Sequence, residues 1–250
     1  MQAAVKKGSV NMNGIFKSLD IAVSGMQAQR QRMDVVTANL ANANDYRYLM
    51  RALLVSLHDW LKDGTEPPAS QIPKVSNGTL VAHTALSFPK LQNVTMPKRI
   101  QQAWRADFGP EFRSHGIITN DPPKLGRPFV TLVPQVDADG NELAGIRLPE
   151  VQVPLATYTG WNMRAPHIGS PQEMYSMVGS FFALPASQAA RAATGDPRPS
   201  IAERYPNKQA YLEKITTAAR QLVKDRYVLA EDLFALEQRA SKQWDALAGK

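Results

Sequence analysis

The sequence contains no cysteine, and it has no long apolar run. The first absence excludes disulfides, thiolate metal sites and a cysteine nucleophile, but it does not fix the compartment. Behind the N-terminal lysines, the first apolar residues are interrupted by Lys17, Ser18 and Asp20. We therefore expect neither a cleaved signal peptide nor a segment inserted in a membrane. The localisation stays open between the cytoplasm and export without a cleaved signal.

The chain also lacks a concentrated patch of one charge sign. Its 29 lysines and arginines exceed its 22 acidic residues, which gives a net charge of +7. A basic balance can mark a nucleic-acid-binding protein, but these basic residues are spread along the chain and mixed with acids. This distribution is typical of a solvated surface, and we expect no nucleic-acid partner.

Histidines are few, and no glycine-rich phosphate loop is present. None of the four histidines stands at metal-ligand spacing from another histidine or an acid, and no H-E-x-x-H motif occurs. We therefore expect neither a metal nor a cofactor.

The clearest periodicity that is present lies between Ile15 and Leu40. Apolar residues recur there at alternating steps of four and three, which predicts a heptad helix roughly 39 Å long. Such a stripe needs a partner helix, either from the same chain or from another subunit. The asparagines that follow predict a stop and a turn. The stripe consists of Ile15, Leu19, Ala22, Met26, Met33, Val36 and Leu40, and the asparagines of the turn are Asn39, Asn42 and Asn44.

Residues 14–44, GIFKSLDIAVSGMQAQRQRMDVVTANLANAN, resemble the N-terminal segment of flagellar basal-body rod proteins, and most closely that of the proximal rod component. The resemblance rests on SGMQAQ, on the apolar-Asp-Val-Val run and on ANLANAN. In that family the segment is exported without cleavage and packs against a C-terminal helix and neighbouring rod subunits. The resemblance implies that the residues of the stripe are assembly contacts, together with Asn39, Asn42 and Asn44, which would shape the turn leaving the helix. It also implies a location in the basal body.

A second helix is predicted to begin after Asp45, which can cap it, and to end at Gly64. Its apolar face comprises Leu49, Ala52, Leu53, Leu57, Trp60 and Leu61. Without a sheet to cover it, this face can repack on the C-terminal helices or on the heptad stripe, or it can cause the chain to aggregate.

The rest of the chain predicts a loop-rich middle and helices at the end. GTLVAHTALSF and PFVTLVPQV are typical of strands, and Asp137 to Asn141 predicts a hairpin turn. Ser200 and Glu203 form a capping-box pattern, and two helices follow with a joint at residues 229–232. The predicted fold class is therefore mixed α+β: a long heptad helix, a loop-rich middle with a hairpin, and C-terminal helices.

Residues 45–245 resemble the C-terminal region of a family of large bacterial α/β-hydrolase-domain proteins. The matching segments are DYRYLMRALL, LVPQVDADGNELAGIRLPEVQVPLATYTGWNMR and GDPRPSIAERY. The two resemblances divide the chain into a rod-like helix, 1–44, and a hydrolase-type C-terminal region, 45–250. The second one implies a fragment of an α/β hydrolase without its full parallel sheet.

In that fold the nucleophilic serine stands on a G-x-S-x-G elbow and is followed by an acid and a histidine. No G-x-S-x-G occurs in this sequence. Matching the helix after Asp45 to the final core helix places all three groups upstream of it. We therefore expect a fused or chimeric chain with a truncated hydrolase module, inactive alone. One alternative is a rod structural protein whose C-terminal portion was replaced, and another is an enzyme whose triad comes from a second chain.

One stretch of the C-terminal region carries residues for a cleft. Trp161, Asn162, Arg164 and His167 cluster in WNMRAPHIGS, and in the intact family they would line the cleft. The alternative is a structural loop with an aromatic anchor.

Overall fold

The computed structural model describes residues 46–98, 103–174 and 179–248. The predicted heptad helix with its assembly contacts, the asparagine turn and the cap Asp45 lie outside these ranges. The helices and strands are α1 (Arg47–Asp63), β1 (Leu80–Ala82), β2 (Trp104–Asp107), α2 (Phe112–His115), β3 (Lys124–Pro128), β4 (Leu132–Pro134), α3 (Pro149–Gln152), β5 (Ala156–Thr159), β6 (Ser180–Ala183), α4 (Gln188–Thr194), α5 (Ile201–Arg204), α6 (Lys208–Lys224) and α7 (Leu233–Leu247).

Helix α1 confirms the helix predicted after Asp45. It ends at Gly64, whose left-handed backbone (φ 70°) lets its N–H donate to the carbonyl of Trp60. The helix packs on the protein through Tyr48, Ala52 and Ser56, which are its buried residues. Most of the predicted apolar face therefore points to solvent, although Leu49 and Ala52 do reach the core. Within the described ranges, no helix combines the length and the apolar character needed to cross a bilayer.

The predicted strands are present but short. Strands β1 and β4 pair antiparallel, with Leu80 opposite Pro134 and Ala82 opposite Leu132. A 3-10 turn at His83–Ala85 ends β1, so most of each predicted segment is irregular backbone. The hairpin turn is confirmed: Val136 bridges Glu142, and Gly140 has a φ of 81°.

Strands β5 and β6 form the most buried sheet of the described residues. They pair antiparallel, from Ala156 opposite Ala183 to Thr159 opposite Ser180. Every residue of β5 is buried. The sequence predicted no strand here, because β5 and β6 are each only four residues long, and so short a segment gives a weak periodicity signal.

The C-terminal helices differ in one boundary from the prediction. The capping box of Ser200 and Glu203 is present, but it opens only the one-turn helix α5. A break at Pro206 follows, and the Asn207 side chain caps α6 by accepting from the backbone N–H of Ala210. The predicted joint is confirmed as a 3-10 turn, Ala230–Asp232, between α6 and α7.

Two of the three clusters of buried hydrophobic residues in the described ranges lie along α6. One joins the N-terminal half of α1 to the second half of α6 and to α7, and consists of Tyr48, Leu148, Ala219, Leu222, Val228 and Leu236. The other packs the first half of α6 against α5, α7 and the ends of β5 and β6, and consists of Leu155, Leu184, Ile201, Tyr205, Tyr211, Ile215 and Ala240. The observed fold is thus mixed, with small antiparallel sheets and several helices.

A second compact unit contains residues 103–131 among its described residues. Strands β2 and β3 pair antiparallel there, with a register shift between Trp104 and Ala106. The Arg105 guanidinium lies 4.9 Å from the centroid of the Phe129 ring, a cation–π distance.

Candidate functional site

The predicted cleft residues lie on the hairpin loop that joins β5 to β6. Met163 bridges Met174, and the N–H of Arg164 donates to the carbonyl of Glu173 at 3.0 Å. His167 lies at the exposed tip, in the 3-10 turn Pro166–Ile168. Trp161 lies at the base of the loop, beside the sheet, so Trp161 and His167 lie at opposite ends of the loop.

Trp161 holds the base of this loop to the β5–β6 sheet. Its ring meets Phe88 edge to face at a centroid distance of 5.6 Å. Its carbonyl accepts hydrogen bonds from Thr159 Oγ1 (2.6 Å) and from Ser180 Oγ (2.9 Å). Arg164 also serves the loop, because its Nη2 donates to the carbonyl of Ile168. These contacts are those of an aromatic anchor.

Ser170 is the serine of this loop whose backbone conformation invites comparison with a nucleophile. Its φ is 48°, a left-handed value that is uncommon outside glycine. A nucleophile elbow, however, joins a strand to a helix, whereas Ser170 precedes Pro171 and its carbonyl accepts from the N–H of Glu173 in a turn. The positive φ therefore belongs to a surface turn.

A polar network bonded to the β5–β6 sheet holds together the hydrolase-like segments of the sequence. It begins at Asp137, whose Oδ1 accepts from the N–H groups of Asp139 and Asn141, both at 3.0 Å. Its other oxygen pairs with Arg147 Nη2 at 2.6 Å. The five-residue run Asp-Ala-Asp-Gly-Asn is similar in spacing to the start of a calcium loop, but its first carboxylate is already occupied by a guanidinium.

Asn141 connects the turn to β5. Its side chain is fully buried. Its Nδ2 donates to the carbonyl of Ala156 at 3.1 Å, and its Oδ1 accepts from the N–H of Tyr158 at 2.8 Å, as the backbone of a neighbouring strand would. These bonds satisfy one edge of a buried strand that would otherwise leave backbone groups without partners.

Arg198 is the centre of the network and is 3% exposed. Its Nη1 donates to Thr157 Oγ1 at 2.7 Å and to the carbonyl of Phe182 at 2.9 Å, and Nη2 donates to the carbonyl of Ala183 at 3.0 Å. The carboxylate of Asp196 receives both Nε (2.9 Å) and Nη2 (2.6 Å). Arg198 therefore joins both strands of the buried sheet to the loop before α5.

Two further arginines close the network. Arg204 makes a forked ion pair with the carboxylate of Asp139, whose carbonyl in turn accepts from the hydroxyl of Thr157. Arg191 pairs with Glu203 at 2.5 Å. Asp137, Asp139, Asp196 and Glu203 thus each face a guanidinium.

The pKa shifts of the acids agree with a structural role. Burial opposes ionisation of Asp196, but the hydrogen bonds from Arg198 outweigh it and hold the pKa of Asp196 below its usual range. Hydrogen bonds from Ser200 and then the nearby Arg191 lower the pKa of Glu203 to about 2. Both groups stay ionised at neutral pH, so neither is adjusted to exchange a proton there.

A tyrosine cluster lies beside this network. Burial raises the pKa of Tyr205 to about 12, and burial with the Glu150 carboxylate raises the pKa of Tyr158 further above its usual value. The hydroxyl of Tyr205 donates to the carbonyl of Pro154, and that of Tyr158 accepts from Gln243 Nε2 at 2.6 Å. These phenols stay protonated at neutral pH and stabilise the core.

The remaining histidines and the acids do not form a metal centre within the part of the chain that the structure describes. His83 Nε2 lies 3.1 Å from the carbonyl of Pro97, and His115 Nδ1 lies 2.9 Å from Ser114 Oγ at the exposed end of α2. Sequence reasoning did not identify the network around Arg198. Several of its residues lie in the motifs GDPRPS and VDADGN, which carry the family resemblance. The sequence does not indicate, however, that these two segments contact each other.

The fold and the network together define a mixed α and β domain held by buried arginine–carboxylate pairs. A family model described as alpha/beta hydrolase domain matches residues 17–238 of this chain. The chain therefore belongs to the α/β hydrolase domain family, as the resemblance of the C-terminal region predicted. The matched range begins within the rod-like segment and continues across Asn44. No curated protein and no solved structure matches the chain.

Proposed function

We propose that this chain is a non-catalytic module of the α/β hydrolase domain family, with a role in assembly. The observation that supports it most is the use of the motif acids: Asp137, Asp139 and Asp196 each form an ion pair with an arginine of the chain. A triad acid has to orient a histidine instead. The sequence also contains no G-x-S-x-G.

The proposal predicts that the purified chain does not form a covalent adduct with a serine-directed fluorophosphonate. We expect no mass increase on the intact protein and no hydrolysis of p-nitrophenyl acetate above buffer, with an authentic serine esterase labelled in parallel. Ser170→Ala and His167→Ala are the matched variants, because these residues are the exposed serine and histidine among the described residues of the β5–β6 loop. Labelling of the wild-type chain that Ser170→Ala abolishes would refute the proposal.

A second candidate function is that of a flagellar rod structural protein with a replaced C-terminal portion. It is favoured by the resemblance of residues 14–44, whose heptad positions would form the assembly contacts. The test is co-purification of the chain with detergent-extracted basal bodies. A variant with Met26 and Met33 both changed to Glu should be lost from that fraction, and equal recovery of the two proteins would contradict this candidate.

A further inference from the structure

Helix α1 presents an unusually apolar surface to solvent. We call this surface the α1 stripe, and it consists of Tyr46, Met50, Leu53, Leu54, Leu57, Trp60 and Leu61. At 100° per residue these seven positions occupy an arc of about 120° around the helix axis. The residues through which the helix docks on its own domain, Tyr48, Ala52 and Ser56, lie outside that arc.

The α1 stripe is large enough to be an interface. Its residues are about half exposed, and Leu54 and Leu61 are exposed to 63% and 78%. Seven such side chains leave roughly 700 Å² of mostly apolar surface on one helix. A standard interface buries about 800 Å² on each partner, whereas a typical monomer exposes only a few hundred Å² in one apolar patch.

We propose that a second copy of this chain covers the α1 stripe, through antiparallel pairing of two α1 helices about a two-fold axis. Tyr46, Met50, Leu53, Leu57 and Trp60 recur at alternating steps of four and three, which is the spacing of a two-helix seam. A two-fold interface must be complementary to itself, so each position has to meet an acceptable residue when the helix is reversed.

The α1 stripe meets that condition when the axis passes between Leu53 and Leu54. Leu53 then faces Leu54 of the second copy, Met50 faces Leu57, and Tyr46 faces Leu61. Trp60 faces Arg47, whose aliphatic stem and guanidinium are both suited to an indole ring. The antiparallel arrangement also opposes the two helix dipoles favourably. Each stripe residue thus has a compatible counterpart in the other copy.

The first test is the mass of the full chain in sedimentation equilibrium. We expect a dimer for the wild type, and for Leu54→Glu a dissociation constant raised by roughly 30-fold or more, because two carboxylates would meet at the axis. Val55→Glu is the matched control: Val55 is exposed on the same helix but lies outside the stripe, and its dimer should be unchanged. Thermal unfolding should show that Leu54→Glu, at an exposed position, remains folded.

A cysteine test fixes the geometry, because the chain contains no cysteine of its own. Leu53→Cys should oxidise to a disulfide-linked dimer, since the two residues flank the axis. Leu61→Cys should not, because its two copies would be about 22 Å apart along the helix, far beyond disulfide reach. A monomeric wild type, with the stripe covered by another segment or by a different protein, would overturn the proposal. Equal crosslinking of both variants would also overturn it, in favour of parallel helices.

Discussion

Arg198→Met should lower the free energy of unfolding by about 3–5 kcal/mol, the cost of breaking one side of a buried ion pair. Methionine has a similar length but no donors, so the Asp196 carboxylate loses both of its side-chain hydrogen bonds from the guanidinium. The carbonyls of Phe182 and Ala183 and the hydroxyl of Thr157 lose donors as well. Because a domain is stable by only about 5–15 kcal/mol, the loss is a large share of the total.

The measurement is urea unfolding followed by circular dichroism at neutral pH. Arg191→Met provides the matched control, because the side chains of its ion pair with Glu203 are 35% and 28% exposed, whereas Arg198 is 3% exposed, and it should cost no more than about 1 kcal/mol. Arg198→Lys should lie between the two, since an ammonium keeps the charge but not the fork that reaches several acceptors at once. Similar midpoints for the Arg198 and Arg191 methionine variants would show that the network does not hold the sheet.

Local chemistry determined the elements that the sequence predicted well. Gly64 ends α1 in a left-handed conformation, the Asp-Gly pair makes the turn at Gly140, and Ser200 with Glu203 caps a helix. Each of these signals acts over a few residues, so its outcome depends little on the rest of the fold. Apolar periodicity likewise identified α1 as a helix.

Interactions between distant segments determined what the sequence did not predict. The apolar stripe of α1 is visible in the sequence, but α1 docks through the small residues Ala52 and Ser56, which fit closely against the core. Arg198 appears between two prolines as an ordinary basic residue. Its burial depends on Thr157 and on β6, which lie 15 to 41 residues away. No local sequence pattern predicts contacts between segments that lie so far apart in the chain.

The candidate site shows the same division. One interpretation of Trp161 from the sequence was an aromatic anchor of a structural loop. The structure adds its ring contact with Phe88. The cleft interpretation of Asn162, Arg164 and His167 stays a prediction. Membership of the α/β hydrolase domain family gives the ancestry of the scaffold, but chemistry depends on particular side chains in particular positions. Asp137, Asp139 and Asp196 show this difference between scaffold and chemistry most clearly, because each is paired with an arginine.

Gly140→Ala is expected to destabilise the chain by about 2–4 kcal/mol, through backbone strain and crowding together. Gly140 has a φ of 81°, which an L-residue adopts at a cost. A Cβ at this position would also lie 2.8 Å from Thr157 Cγ2, 3.0 Å from Phe88 Cε2 and 3.2 Å from Pro89 Cγ. Thr157 is fully buried in the network and has little room to move.

Gly78→Ala separates the two causes. Its φ is 73°, nearly the same as that of Gly140, but a Cβ there would meet no atom within 4 Å. This variant should therefore show only the backbone strain, about 1–2 kcal/mol. Urea midpoints of the two variants and of the wild type give the comparison directly. Equal losses would mean that Thr157 and Phe88 move aside, and that the turn is not clamped against the buried sheet. A larger loss at Gly140 ties the Asp-Gly turn to the packing of β5, because the excess over Gly78 comes from crowding alone.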